Sequence, residues 1–296
     1  MSAHQEAIGR RSGARRAKDL VFMVALWACL ALAMGLLAIL LVDAVVDGAG
    51  ELDLDFITSF TSISADKAGI QAALWGTVWL MGVCAFFIVP VGVATAIYLE
   101  EYADQTRWWN RVIELNIQNL AAVPSIVYGI LGLAFLVRGP IDLGQVILAG
   151  GLTLGLLVLP MVIIAGREAL RAVPPSIREG SMALGATQWQ TIWRQVLPAA
   201  VPGIATGVIL ALSRAIGETA PLIVVGAATV ITFNPSGLDS DFTAMPIQIF
   251  EWISRASNDV NNYKPLAAAG ILLLIIMLLF MNSIAIWLRN RYEQKW

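Results

Sequence analysis

Six stretches of predominantly apolar residues recur along the chain, separated by segments that carry most of the charged side chains. A helix needs about 20 apolar residues to cross roughly 30 Å of hydrocarbon, and each stretch is at least that long. The pattern therefore predicts an all-α integral membrane protein. Its six transmembrane helices are predicted at residues 20–42, 72–98, 115–137, 143–165, 201–226 and 266–288.

The segments between the apolar stretches differ in their content of lysine and arginine. If the N-terminus lies inside the cell, the inner segments hold 14 of these residues and the outer segments hold 4. Segments retained in the cytoplasm carry the excess, so both termini are predicted to be cytoplasmic. The chain then divides into a cytoplasmic segment 1–19, one transmembrane domain 20–288 and a cytoplasmic tail 289–296. Two connections are long, a cytoplasmic one at 166–200 and an outer one at 227–265.

Composition agrees with this class and excludes several functions. Hydrophobic residues make up 58% of the chain and charged residues 14%, whereas a soluble protein has about 25% charged residues. The net charge of -2 provides no basic excess for nucleic acid. Two cysteines, Cys29 and Cys84, and one histidine, His4, are too few for a metal cluster or a thiol nucleophile with its base. None of the four lysines is followed by Ser or Thr, so the chain lacks a phosphate-binding loop and is not an ATPase by itself.

The fifth apolar stretch carries the two formal charges found within the predicted spans, Arg214 and Glu218. A lone charge at the centre of a membrane helix costs about 2.5 to 3.5 kcal/mol, so such residues usually face a partner or a polar cavity. A spacing of four places both side chains on one helical face. Pro221 follows and predicts a distorted helix that lines a cavity. The pair either locks two helices together or lies on a substrate path, where the arginine fork would suit a tetrahedral oxyanion.

Polar residues also occur in the third predicted span and in the outer connection. Ser125 and Tyr128 are three residues apart and share a face, so their hydroxyls either donate near the anion path or form hydrogen bonds between helices. In the outer connection an amphipathic helix is predicted to begin near Pro246. It would form a lid on the membrane surface or a gate that also docks an external protein. The side chains available for its burial are Ile249, Phe250, Trp252 and Ile253.

The long cytoplasmic connection contains start and stop signals for two short helices. Ser176 with Glu179, and Thr187 with Gln190, have the spacing of capping boxes. Gly185 suits a left-handed helix end between the two helices, and Pro198 is predicted to close the second one. The connection is therefore predicted to be a helical hairpin that packs against another surface, since its first helix is too short to be stable alone.

Several of these segments resemble a known family. The run Glu179-Gly180-Ser181 followed by Gly185 and Leu197-Pro198 resembles the E-A-A loop of ABC importer permeases, with Gly180 and Ser181 where the family often has Ala. Two further runs, Ser213 to Pro221 and Val123 to Gly129, are similar to the fifth-helix and third-helix signatures of PstA-type permease subunits of phosphate importers. Taken in order, these segments cover essentially the whole chain from Leu20.

The resemblance implies a type I ABC importer permease fold in the plasma (inner) membrane of a prokaryote. It implies a non-enzymatic subunit that moves inorganic phosphate inward by alternating access, with Arg214 and Glu218 on the anion path and Ser125 and Tyr128 near it. The implied partners are a PstC-type second permease, a PstB-type ATPase dimer that holds ATP and Mg, an extracytoplasmic PstS-type phosphate-binding protein and the lipid bilayer. This chain would bind no cofactor. The ATPase would dock at Ser176, Glu179, Gly180, Ser181 and Gly185.

Two other functions remain open from the residues. A permease for another oxyanion, sulfate or molybdate, would use the same arginine chemistry. An ion-coupled secondary transporter with Glu218 as its proton carrier is a third reading, but no inverted repeat is visible in the six spans.

Overall fold

The computed structural model describes residues 13–104, 106–227, 230–255 and 262–292. Most of the predicted segment 1–19, including His4, and the end of the tail 289–296 lie outside them. The described part is helical, with one isolated bridge between Val146 and Asp241. The helices are α1 (Gly13–Gly48), α2 (Leu54–Thr58), α3 (Gln71–Ile97), α4 (Trp108–Ala121), α5 (Ser125–Leu131), α6 (Ile147–Arg171), α7 (Pro175–Ala183), α8 (Gln188–Thr191), α9 (Leu197–Ile216), α10 (Ala220–Val225), α11 (Met245–Ser254) and α12 (Lys264–Tyr292).

Helix α6 occupies the centre of the molecule and packs against both α3 and α9. Small residues permit these close approaches: a Cβ added to Gly151 would lie 2.6 Å from the Cβ of Val83 in α3. One added to Gly207 in α9 would lie 2.3 Å from the Cβ of Ala165. The core thus consists of apolar side chains from three helices that meet at short distance.

Within the described residues, five helices are long and apolar enough to span a membrane, and a bent pair of helices can supply a sixth span. The all-α membrane fold with six spans is thereby confirmed. Helix α1 is exposed along nearly its whole length, with apolar side chains pointing outward. Such a surface is suited to contact with lipid or with another membrane helix.

The third predicted span, residues 115–137, is not a single straight helix. Helix α4 ends at Ala121, α5 begins at Ser125, and the two axes form an angle of 108°. Pro124 provides the physical reason, because a proline disfavours helical backbone in the residue before it. From Gly132 to Val137 the backbone continues α5 as a π-helical turn.

The fifth predicted span, residues 201–226, also differs from a single distorted helix. Helix α9 ends at Ile216 and a new helix, α10, starts at Ala220, with Pro221 in its first turn. Pro221 therefore starts a helix instead of interrupting one, which its missing N–H permits at that position.

The prediction that Pro198 closes a short helix is wrong. Helical backbone runs without interruption from Gln188 to Ile216, so α8 is the cytoplasmic extension of α9. A π-helical turn at Ile192–Val196 directly precedes the proline. The wider turn accommodates the proline ring, which would clash with a carbonyl in a regular α-helix.

Helix α11 lies in the outer connection and is more deeply buried than an amphipathic surface helix. Ile249 and Trp252 are buried as predicted, whereas Phe250 and Ile253 are 55% and 60% exposed. The helix packs against α3 and α12. The faces of α11 that contact α3 and α12 consist of other residues, including the fully buried Gln248. Phe250 and Ile253 therefore lie on the face of α11 that points away from these two helices.

Candidate functional site

Arg214 and Glu218 meet where the fifth span is broken. Arg214 lies in the last turn of α9, and Glu218 lies in the connection to α10. The Arg214 Nε lies 3.3 Å from the Glu218 Oε1, and the two side chains are 48% and 21% exposed. Among the described residues, the terminal nitrogens of Arg214 form no hydrogen bond or ion pair. The guanidinium therefore keeps its two terminal NH2 groups available for an additional partner.

Tyr128 is brought close to this pair by contact between the two broken spans. A Cβ added to Gly129 in α5 would lie 2.7 Å from the Cα of Pro221 in α10, so these backbones touch. The Tyr128 hydroxyl donates to the carbonyl of Leu120 at 2.9 Å and ties α5 to the end of α4. Tyr128 therefore holds the bend in the third span, and its donor is already used.

Ser125 is half-buried at the first position of α5, one turn before Tyr128. Its placement at the bend keeps it on the same short helix as Tyr128. Its predicted role as a hydroxyl donor to an anion stays a prediction.

A polar contact that the sequence did not reveal joins the fifth and sixth spans. The hydroxyl of Ser213, next to Arg214, donates to Asn282 Oδ1 in α12 at 2.7 Å. An asparagine within an apolar helix was the available signal, since such a residue usually forms hydrogen bonds to another helix.

The cytoplasmic hairpin has one of its two predicted capping boxes. Gln190 N–H donates to Thr187 Oγ1 at 3.3 Å, and Thr187 N–H donates to Gln190 Oε1 at 3.0 Å, which confirms this box. The box predicted for Ser176 and Glu179 is wrong, because α7 begins at Pro175 and its N-cap is Pro174, two residues before Ser176. The two consecutive prolines at 174 and 175 fix the backbone at the helix start and place Ser176 inside the first turn.

Gly185 has a φ of +86°, so the predicted left-handed turn between the two helices is confirmed. A hydrogen bond of 2.9 Å between the hydroxyls of Ser181 and Thr191 connects α7 to the start of the long helix. Glu179 and Gly180 are exposed on the outer side of α7.

Large apolar side chains project from this hairpin into the cytoplasm. Leu184 is 92% exposed at the tip of the hairpin. The rings of Trp189 and Trp193 lie 5.3 Å apart, centroid to centroid, and both are exposed. A depression with a volume of about 440 Å³ lies between the helices, lined by residues that include Ser176, Gly180 and Ser181. Exposed apolar surface of this kind is typical of sites that contact another protein or the membrane.

Two glutamates missed in the sequence connect the end of the second span to α6 and to this hairpin. Glu100 and Glu101 lie in a π-helical turn, Tyr98–Tyr102, that extends α3. Glu100 forms ion pairs with Arg171 at 3.0 Å and with Arg167 at 3.4 Å. Glu101 pairs with Arg178 of α7 at 2.7 Å. Arg167 and Arg171 are thereby engaged at the cytoplasmic end of α6. Two adjacent acidic residues directly after the second span were the feature of the sequence that could have indicated these ion pairs.

These features describe a membrane-embedded transport subunit: an apolar helical body, a charged pair at paired helix breaks and an apolar cytoplasmic hairpin. Residues 88–296 match the family described as the binding-protein-dependent transport system inner membrane component, and the chain belongs to this family. It is a multi-pass protein of the inner membrane and a permease subunit of an ABC importer.

Relatives within this family confirm the PstA-type resemblance. The chain is 40% identical over 183 residues to the phosphate transport system permease protein PstA 1 of Mycobacterium tuberculosis, covering 62% of this chain and 59% of the relative. It is 30% identical to PstA of Yersinia pestis, covering 95% and 92% of the two chains. It is also 29% identical to the probable ABC transporter permease protein YqgI of Bacillus subtilis, covering 90% and 93%.

A solved structure supports the fold. The bacterial alginate ABC transporter in complex with a periplasmic protein contains a chain that matches with a TM-score of 0.69 and 16% identity. The match covers 97% of this chain and 99% of that one. The fold is thus that of type I ABC importer permeases.

Proposed function

We propose that this permease moves inorganic phosphate into the cell and that Arg214 binds the anion on its path. The observation that carries the proposal is the half-exposed guanidinium at the break between α9 and α10, paired through its Nε alone. The relatives named for phosphate transport support the choice of anion.

The geometry of the pair suits an anion that binds and leaves. A tetrahedral oxyanion can accept two parallel hydrogen bonds from the terminal nitrogens of an arginine. Glu218 neutralises Arg214 when no anion is bound, so that the charge at membrane depth is never unpaired. Once an anion is bound, the repulsion between Glu218 and that anion limits affinity and favours release. Ser125 would add a hydroxyl donor from α5, and Tyr128 would keep α5 in place.

Transport by alternating access requires energy from a partner. We propose that a PstB-type ATPase dimer, which carries ATP and Mg, docks on the exposed face of the hairpin around Ser176, Glu179, Gly180, Ser181 and Gly185. A PstC-type permease would complete the pathway, and a PstS-type binding protein would deliver phosphate near the outer connection. This chain supplies no cofactor and no catalytic residue. The exposed apolar side chains of Leu184, Trp189 and Trp193 support the docking assignment.

Uptake by the complete importer in proteoliposomes tests the proposal. Labelled phosphate should enter only when ATP is present on the ATPase side, and unlabelled phosphate should compete with it more strongly than sulfate or molybdate. Equal competition by sulfate would assign the permease to a different oxyanion. Uptake driven by a proton gradient without ATP would favour the secondary transporter instead.

A further inference from the structure

Glu101 is a point at which four segments of the protein meet. Its side chain is only 8% exposed and accepts from Arg178 of α7 at 2.7 Å. Its backbone carbonyl accepts from Gln188 Nε2 of α8 at 2.7 Å. The residue belongs to the turn that extends α3. Both helices of the cytoplasmic hairpin are therefore attached to the end of the second span through one residue.

Arg178 completes this attachment with the end of α6. Its Nη1 donates to the carbonyl of Val173 at 2.7 Å, and its Nη2 donates to the carbonyl of Leu170 at 2.8 Å. Leu170 lies in the last turn of α6 and Val173 directly follows the C-cap of that helix, where backbone acceptors lack regular helical partners. Helix α7 has no fully buried residue among those described, and its partly buried Ile177 packs against the apolar cluster that includes Leu170 and Val196, so Arg178 adds a polar attachment to a small apolar contact. A planar guanidinium with five donors can hold a carboxylate and two carbonyls at once, which a lysine cannot do.

The other end of α3 reaches the outer helix α11. The amide of Met245 in α11 donates to Thr77 Oγ1 at 2.9 Å. A Cβ added to the adjacent Gly76 would lie 2.0 Å from the carbonyl oxygen of Thr243, so α3 and the start of α11 are in backbone contact. Between these two ends α3 is a helix of 27 residues, about 40 Å long. A continuous chain of contacts therefore runs from the hairpin to the outer side.

We propose that Glu101 and Arg178 are positioning residues that transmit movement of the cytoplasmic hairpin through α3 to α11. The proposal rests on the docking of an ATPase at the hairpin, as proposed above. When the hairpin is displaced by the ATPase, the ion pair forces α3 to move with it. Without the pair, α7 can move while α3 stays in place, and ATP hydrolysis then proceeds without opening or closing the outer side. This is a role in coupling, separate from anion binding at Arg214.

The test uses the complete importer in proteoliposomes with the variant Glu101→Gln. The amide keeps the shape of the side chain but removes its charge. We expect the ATPase to co-purify and basal hydrolysis to stay within twofold of wild type, while phosphate moved per ATP falls at least tenfold. Asp104→Asn is the matched control, because Asp104 lies three residues away, is half-exposed and contacts neither helix of the hairpin. Asp104→Asn should leave the amount of phosphate moved per ATP unchanged.

A reporter on α11 separates transmission from a purely structural role. Ile253→Cys, exposed on the outer side, is labelled with a fluorophore in a Cys29→Ser background, since Cys29 is exposed and Cys84 is buried. ATP should change the fluorescence when Glu101 is present and should fail to do so in Glu101→Gln. Arg178→Lys keeps the positive charge but loses the planar guanidinium, so it should also lose the ATP-driven fluorescence change. This variant replaces Glu101→Gln in the test if Glu101→Gln cannot be purified.

Two results would overturn the proposal. If Glu101→Gln moves as much phosphate per ATP as wild type and keeps the fluorescence response, α3 moves without the ion pair. Loss of the ATPase from the purified complex would show that the pair serves docking alone. A wild-type complex that moves no phosphate would instead refute the proposed substrate, and the ATP-driven fluorescence change would still report on coupling.

Discussion

At the scale of single residues, Arg214 and Glu218 place an ion pair at a helix break in the membrane domain. Arg214 and Glu218 were predictable from sequence because an i, i+4 pair in an otherwise apolar stretch has few explanations other than pairing or function. The hydrogen bond between Ser213 and Asn282 was not predictable, because it joins helices whose residues lie 69 positions apart in the sequence.

Replacing Arg214 with Gln should abolish phosphate uptake, with a decrease of at least about a hundredfold, because the helix break loses its positive charge while side-chain length is nearly kept. Membrane insertion and co-purification with the partner subunits should remain normal. Initial rates of labelled phosphate uptake provide the measurement. Arg255→Gln serves as a control, since Arg255 pairs with Glu251 at the end of α11, away from α9. Uptake at the wild-type rate in Arg214→Gln would contradict contact between this arginine and phosphate.

At the scale of helices, prolines and glycines define where each element begins, bends or ends. The apolar length of each stretch was enough to predict six spans, because the hydrocarbon thickness sets a minimum length. The sequence did not distinguish the three outcomes of a proline: Pro124 separates two helices, Pro198 is accommodated by a π turn and Pro221 starts a helix. The local sequence allows each outcome, and packing against other helices selects one of them.

Gly185→Val should weaken the ATPase interface. The glycine has a φ of +86° in open space, so the cost is conformational and not a clash. A left-handed backbone costs a residue with a side chain roughly 1 to 2 kcal/mol, and more when it is β-branched. We expect reduced co-purification of the ATPase or loss of coupled hydrolysis in this variant. Gly35→Val is the control: this position lies inside α1, away from the hairpin, with open space around it, and the variant should retain the ATPase. Normal co-purification and coupling in Gly185→Val would argue against docking at this turn.

At the scale of the whole molecule, the two polar ends of the helical body differ in chemistry. One end carries the acidic turn at Tyr98–Tyr102 with its arginines and the apolar hairpin, and the other carries α2 and α11. The excess of basic residues could assign the first end to the cytoplasm from sequence alone. The ion pair that attaches the hairpin, Glu101 with Arg178, could not be assigned, because its partners lie 77 residues apart.

Single cysteines introduced in a Cys29→Ser background check this orientation in intact cells. Ser236→Cys, exposed in the outer connection, should react with a membrane-impermeant maleimide added from outside. Ala183→Cys, exposed at the end of α7, should react only after the membrane is permeabilised. The opposite pattern would place the hairpin outside and would leave it out of reach of any ATPase.

The unequal burial of the long helices implies a hierarchy of local opening. The most apolar part of α6 is 67% buried within the chain, whereas that of α1 is 6% buried. Backbone amides in a helix surrounded by protein exchange with solvent deuterium only when a large unit opens, and those at helix ends exchange during small fluctuations. In the detergent-solubilised chain, peptides from α6 should therefore be the last to take up deuterium. Peptides that contain Gly217 or Val123 should label early, and these two sites would then be the hinges at which the anion path changes shape.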